Sequence, residues 1–317
     1  MRVDAFGERW PPRPCTHPAF ALCADDFAMT QGVSQAILNL ADQGRLSATS
    51  VMTTMPRWRA LAPALREREA ELAIGLHLNL TLGRPATAMP RLAPGGSLPA
   101  FGSLAAQSLT GRLRDRTARD ELMAEIGAQL DLFTDVFGRE PDYVDGHQHV
   151  HVLPGVRGAL LACLGNRGLA GRLWLRDPSD KTAAILSRRG PMAKALVIAT
   201  LAKGWREAAT AAGFATNHGF AGVSAFRSTG DFGTEFASFL VAPGPRHLVM
   251  CHPGATPRPG EVDTELRALD PVVDSRPLEF AFLKSSRFAE VCASAGIALM
   301  RGNALKLQGA SAGTWQA

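Results

Sequence analysis

Seven consecutive residues, Asp145-Gly-His-Gln-His-Val-His151, hold three imidazoles and a carboxylate. At the two-residue period of an extended chain, Asp145, His147, His149 and His151 project from one side. Neutral imidazole is the commonest protein ligand for a metal ion, and an acid behind it can fix its tautomer. The segment therefore points to metal binding, although spacing alone does not say which histidines bind. A second signal is Asp25-Asp26, directly after the apolar run Phe20–Ala24. A helix N-cap accounts for one aspartate. Two adjacent acids at a strand end meet desolvation and mutual repulsion that a bound cation relieves. One of them can bind the ion while its neighbour stays free as a base.

Three further residues carry less information alone. His77 lies in Gly75-Leu-His-Leu-Asn-Leu-Thr81 and shares a strand face with Asn79. A single histidine in such a strand is usually a hydrogen-bonded core residue. His252 follows the apolar run His247–Cys251 and precedes the turn Pro253-Gly254. Arg176 closes Leu173-Trp-Leu-Arg176, where it could pair with one of the aspartates or form a plain surface ion pair. One aspartate and two histidines with water in the open positions describe a hydrolytic metal site. A second carboxylate supplies a general base, and a separate histidine can protonate a departing amine. That inventory suits amide or ester hydrolysis.

These side chains need elements to hold them, and the hydrophobic pattern supplies strands alternating with helices. Phe20–Ala24, Ser47–Thr54, Leu72–Thr81, the start of Tyr143–Val152, Arg172–Arg176, His247–Cys251 and Ile297–Met300 read as strands. Val33, Ile37 and Leu40 mark a helix stopped by Gly44, and Arg287–Ala295 a late one. The clearest helix is Thr117–Phe137, with Leu122, Ile126, Leu130, Phe133 and Phe137 on one face. Thr117 with Asp120 reads as its capping box and Gly138 as its end. Pro90–Gly102 reads as a surface loop. The alternation predicts an α/β fold, a single-domain (β/α) barrel of irregular form, in which chemistry collects where strands end. The expected boundaries are an N-terminal extension over 1–19, the barrel over 20–303 and a flexible tail over 304–317.

Composition narrows the class. The 317 residues are 46% hydrophobic and 20% charged, ordinary for a globular enzyme. Only 5 of the 34 basic residues are lysine, and no basic block with interleaved aromatics occurs, so nucleic acid is not an expected partner. The cysteines, at 15, 23, 163, 251 and 292, form no CxxC pair, which predicts reduced thiols and a cytoplasmic protein. The N-terminal residues do not read as a signal peptide, and no apolar run is long enough to span a membrane. The stretch Lys194–Trp205 is apolar around much of a helix. It reads as core, or as a rim meeting a lipid-linked substrate from a peripheral position at the inner membrane surface. A homodimer is compatible with the sequence.

The order of these segments resembles the YdjC-like family of carbohydrate deacetylases. The matching pieces are Ala24-Asp-Asp-Phe27, Ser47-Ala-Thr-Ser-Val-Met52, Gly75-Leu-His-Leu-Asn-Leu-Thr81 with Gly83 and Pro85, Asp145-Gly-His-Gln-His-Val-His151 and Cys251-His-Pro-Gly254. A looser match runs through Arg276, Glu279 and Gly296-Ile-Ala-Leu299. The resemblance implies a distorted (β/α) barrel of the polysaccharide-deacetylase type that hydrolyses the N-acetyl group of a sugar, oligosaccharide or glycolipid. Carried over by position, it implies Asp26, His77 and His147 as metal ligands, Asp25 as base, His252 as acid and Arg176 as the residue steadying Asp25. Asn79, Asp145, His149 and His151 become groups behind the ligands or facing substrate. Ala28 stands where the family has glycine. The expected cofactor is one divalent ion, Zn²⁺ by ligand type, with Mg²⁺ or another divalent ion as alternatives. A mononuclear non-haem iron oxygenase shares the ligand triad but has no use for Asp25 or His252. An inactive sugar-binding protein could dispense with both.

Overall fold

The computed structural model describes residues 18–188, 190–256 and 269–308. Among these residues nine strands follow in chain order: β1 (Ala19–Phe27), β2 (Ala48–Val51), β3 (Ala73–Leu78), β4 (Tyr143–Gly146), β5 (Trp174–Leu175), β6 (Ala215–Thr216), β7 (Phe220–Ala221), β8 (His247–Cys251) and β9 (Ala298–Leu299). They form one sheet in the order β6-β5-β4-β3-β2-β1-β8-β7, with β9 against the first residues of β1. Every ladder is parallel. The two ends of that order, β6 and β7, are separated in sequence only by residues 217–219. They act as two halves of one interrupted strand, the first paired with β5 and the second with β8. The sheet must therefore curl until its ends meet, which gives the distorted (β/α) barrel expected.

Alternation along the strands separates the two sides of this wall. On β1, Phe20, Leu22 and Ala24 pack outward into the layer shared with the helices, among them Val33, Ile37 and Leu40 of the helix Gln31–Asp42. Ala19, Ala21 and Cys23 pack inward with Ala48, Ala73, Tyr143, Trp174, Leu248 and Met250. Leu76 and Leu78 face outward into a second cluster with Leu122, Ile126 and Leu130 of the long helix Arg116–Phe137. The inward register fixes a simple rule. Continuing it toward the strand C-termini leads to residue 25 on β1, 50 on β2, 77 on β3, 145 on β4, 176 after β5 and 252 after β8. Two of the inward positions are crowded: a Cβ on Gly75 would lie 2.4 Å from the Tyr143 ring, so that position admits only glycine.

Several local expectations change. The helix Arg116–Phe137 is capped by Asp115, which accepts a hydrogen bond from the Ala118 amide at 2.8 Å, so the Thr117–Asp120 box does not form. Asp115 lies two residues before Thr117, at the true N-cap, and reaches the free amides first. Gly138 closes the helix at φ +68°, as its type predicts. Pro90–Gly102 is not a plain surface loop: Leu92, Ala93 and Leu98 are buried, and Glu121 accepts hydrogen bonds from the Arg91 and Leu92 amides. Apolar side chains there find a helix surface to cover. Residues 304–308, expected in the flexible tail, belong to the helix Gly302–Gln308. Leu305 is fully buried beside Met300 and fills the barrel end opposite the polar residues. The rest of that tail and residues 1–17 lie outside the described residues.

Candidate metal centre

In a regular strand Asp25 and Asp26 would point to opposite sides of the wall. They do not, because the β1–β2 register slips between Ala24 and Phe27, and Asp26 takes φ +71°. This bulge turns Asp26 back, so both carboxylates line one cavity. Ala28 follows at φ +75°, its amide held by Ser34 Oγ at 3.0 Å. Left-handed backbone costs an L-residue about 1–2 kcal/mol, so the strain sits at the site itself.

His77 and Asp145 are directly paired in the β3–β4 register. Their side chains meet at 2.7 Å through His77 Nδ1, which also lies 3.0 Å from Ser50 Oγ. The other nitrogen, Nε2, therefore faces Asp26 Oδ1 at 3.3 Å. His147 Nδ1 reaches the same oxygen at 3.0 Å. Asp26, His77 and His147 thus offer three ligand atoms within 4.8 Å of one another. A carboxylate oxygen, two imidazole nitrogens and an acid behind one imidazole form a donor set that fits a divalent ion. Burial opposes charge on His77, yet the Asp145, Asp26 and Asp25 carboxylates push its pKa up to about 10. A bound cation would replace those protons. Burial would also raise Asp26, but Arg276 and the two histidines hold it well below the usual carboxylate range.

Asp25 occupies the next compartment. Arg176, fully buried just after β5, grips both its oxygens at 2.6 Å. The same guanidinium approaches Asp145 Oδ2 to 2.5 Å in the geometry of an ion pair rather than a directed hydrogen bond. Burial raises the Asp25 pKa, but Arg176, with His77 and His252, outweighs it and keeps the group ionised. Arg176 is therefore no surface ion pair. His252 Nε2 lies 4.0 Å from Asp25 Oδ2. Burial pushes the His252 pKa down to about 4, so its imidazole is neutral near pH 7. Its backbone amide donates to Glu279 at 2.6 Å, and Phe226 packs edge-on against its ring at 5.1 Å.

A family model described as YdjC-like protein matches residues 19–294. The chain belongs to the YdjC-like family. Among its relatives, a chitooligosaccharide deacetylase of Enterobacter sp. (strain 638) is 32% identical over 150 residues, covering 47% of this chain and 57% of the relative. One from Citrobacter koseri is 33% identical over 170 residues, covering 53% and 65%. The aligned chain thus spans less than two thirds of either relative. A crystal structure from Enterococcus faecalis V583, described in terms of cellobiose-phosphate cleavage, superposes with a TM-score of 0.63 at 22% identity. It covers 92% of this chain and 99% of that one, and the likeness extends to the fold.

In this YdjC-like chain the expected site residues divide into three groups. Asp25, Asp26, His77, His147, His149 and His252 line a cavity of about 650 Å³. Asp145 and Arg176 stand behind it. The shared face predicted for Asp145, His147, His149 and His151 is not realised, because the strand ends at Gly146 and a 3₁₀ turn follows. Gln148 and His149 take φ +53° and +59°, and a Cβ on Gly146 would lie 3.0 Å from His151 Nδ1. His149 consequently faces the cavity, whereas His151 turns inward and meets the Arg176 carbonyl at 2.9 Å, beside Trp205. Asn79 does not line the cavity. Its amide donates to Thr54 Oγ1 and the Leu82 carbonyl and accepts from the Thr81 and Leu82 amides, closing the turn after β3. Ser50, Phe226 and Arg276 had no assigned role in the sequence reading. Ser50 shares the inward parity of its strand, a usable signal; Phe226 and Arg276 reach the site from loops and a helix start, where parity gives none.

Proposed function

We propose that this chain is a metal-dependent hydrolase that removes the acetyl group from an N-acetylated sugar. The observation that carries the reading is the pairing of two unlike carboxylates. Asp26 faces two imidazoles, while its neighbour Asp25 is held ionised by Arg176 and faces a third imidazole across 4.0 Å. Asp26, His77 and His147 would hold a divalent ion, which when bound would acidify a water and polarise the carbonyl under attack. Asp25 Oδ2 accepts the proton of the attacking water. Because Arg176 depresses its proton affinity, Asp25 passes that proton on readily. His252, neutral at rest, takes it at Nε2 and delivers it to the departing amine. This order accounts for a general acid whose resting pKa is near 4. Non-haem oxygenase chemistry leaves Asp25, Arg176 and His252 without work.

Zn²⁺ suits two imidazoles and one carboxylate, with Mg²⁺ the harder alternative. The relatives' names support an N-acetylated saccharide as substrate. The cavity wall of Phe101, Val152, Leu153, Val197, Ile198 and Leu201 is apolar and supports one carrying a lipid. Among the described residues, four buried cysteines outside any disulfide, Cys23, Cys163, Cys251 and Cys292, are in keeping with a reducing, cytoplasmic setting. The test is metal analysis of the purified protein, then acetate release from N-acetylated monosaccharides, oligosaccharides and glycolipids. Acetate from none of them, with metal bound, would end the deacetylase reading.

A further inference from the structure

Arg276 begins the helix Arg276–Lys284, 250 residues after Asp26, yet it is 2% exposed and lines the same cavity. Its guanidinium touches three other segments. Nη2 donates to Asp26 Oδ2 at 2.7 Å, Nε to Asp270 Oδ2 at 2.6 Å, and Nη1 approaches the His252 carbonyl at 3.5 Å. The turn after β8 is shaped around this side chain. Gly254 donates its amide to the Arg276 carbonyl at 3.2 Å, and a Cβ on Gly254 would lie 2.8 Å from Arg276 Cβ. The glycine after His252-Pro253 is therefore the space through which the Arg276 stem passes.

We infer that Arg276 is the positioning residue of the metal centre, occupying Asp26 Oδ2 so that Oδ1 alone faces His77 and His147. A free carboxylate can rotate and offer both oxygens. One whose outer oxygen is held by a buried fork cannot, and here the fork is itself anchored by Asp270. The same contact ties the strained turn of Asp26 to the turn that presents His252, so ligand and proton donor keep a common reference. A guanidinium beside a ligand also repels a bound cation, an effect opposite in sign to orientation, so the sign of the change in affinity distinguishes the two. Lysine at 276 keeps the charge but cannot hold Asp26 and Asp270 together.

The inference rests on Asp26, His77 and His147 binding an ion, and the experiment separates the two. Dissociation constants for Zn²⁺ and Co²⁺ are measured by chelator competition, with the visible spectrum of the Co²⁺ form as a reporter of geometry. Arg276→Ala should weaken both constants by about 10–100-fold, the usual weight of a group behind a metal ligand, and change the cobalt spectrum. Arg276→Lys should stay weakened. Because the position opens onto the cavity, millimolar guanidinium should restore part of the affinity to Arg276→Ala, which a merely misfolded variant would not show. Should that variant fail to fold, Asp270→Asn, which frees the fork, should still lower affinity and shift the spectrum in the same direction. Wild-type binding with unaltered constants and spectra in the folded variants overturns this role alone. A wild-type protein that binds neither ion removes the metal reading and this inference together.

Discussion

Asp25 and Asp26 are the same side chain at adjacent positions, and their surroundings give them different work. Arg176 engages both oxygens of Asp25, and His252 Nε2 stands 4.0 Å from Oδ2. Asp26 keeps one oxygen toward His77 and His147. Asp26→Ala should therefore lose metal and activity together, as should His77→Ala and His147→Ala. Asp25→Asn should retain near-normal metal content while its rate falls about 10²–10⁴-fold, the worth of a positioned general base. His252→Ala should show a similar loss on an amide. That loss should shrink on an aryl acetate, whose leaving group departs without a proton. Metal content and rates on one set of variants decide it; loss of metal from Asp25→Asn with retention in Asp26→Asn would reverse the two assignments.

At the scale of elements, two segments make separate predictions. The helix Met192–Leu201 contributes Ala193, Lys194, Val197, Ile198 and Leu201 to the cavity, and Val197 is 58% exposed while lining it. Apolar residues facing an open cavity suit the lipid-linked substrate proposed above. The double substitution Val197→Ser, Leu201→Ser should cut turnover of a glycolipid more than that of its soluble analogue. Equal losses, with lowered stability, would return the helix to a packing role. On β8, His247 is fully buried with Nε2 donating to the Phe239 carbonyl at 2.8 Å. Burial, helped by Arg188, pushes its pKa down from 6.5 to about 4. Between those values the unfolded chain binds the proton that the folded one refuses. Stability contributed by this group is thus complete above pH 6.5 and drains away as pH falls toward 4, by up to about 3 kcal/mol. Urea unfolding of chelated protein at pH 7 and 4.5 should show a shallower loss for His247→Gln than for wild type. Matching losses would mean His247 does not titrate as its burial requires.

Taken whole, the barrel divides into a packed end and a reactive end. Small residues such as Ala19, Ala21, Ala48 and Ala73, with Tyr143, Trp174, Met300 and Leu305, fill the interior below the site. The outer layers close around aromatic clusters such as Phe236, Phe282 and Phe288. None of this packing depends on an ion, so chelation should abolish turnover while leaving the far-ultraviolet circular dichroism unchanged. Readdition of metal should raise the thermal midpoint through preferential binding to the folded state. Unfolding on chelation would show instead that the charged groups around Asp26 cannot be tolerated without the cation. Among the described residues no helix is long and apolar enough to cross a membrane.

The sequence by itself determined the alternation of strands and helices, the clustering of imidazoles with a carboxylate in the histidine segment, and the family. Those signals are local: an apolar run, a period of two or of three to four, a carboxylate beside an imidazole. It also carried the parity that sends residues 25, 50, 77, 145, 176 and 252 to the barrel interior, since each continues the inward positions of its strand. Short strands such as β6 and β7, two residues each, have no period to read, and their role emerges only when the sheet closes. Tertiary structure decided what breaks parity. Positive φ at Asp26 and His149 redirects one side chain into the cavity and changes the face of another, while His151 turns away. It alone brought Arg276 to Asp26 across 250 residues, because a buried carboxylate and a buried guanidinium need each other wherever the chain carries them.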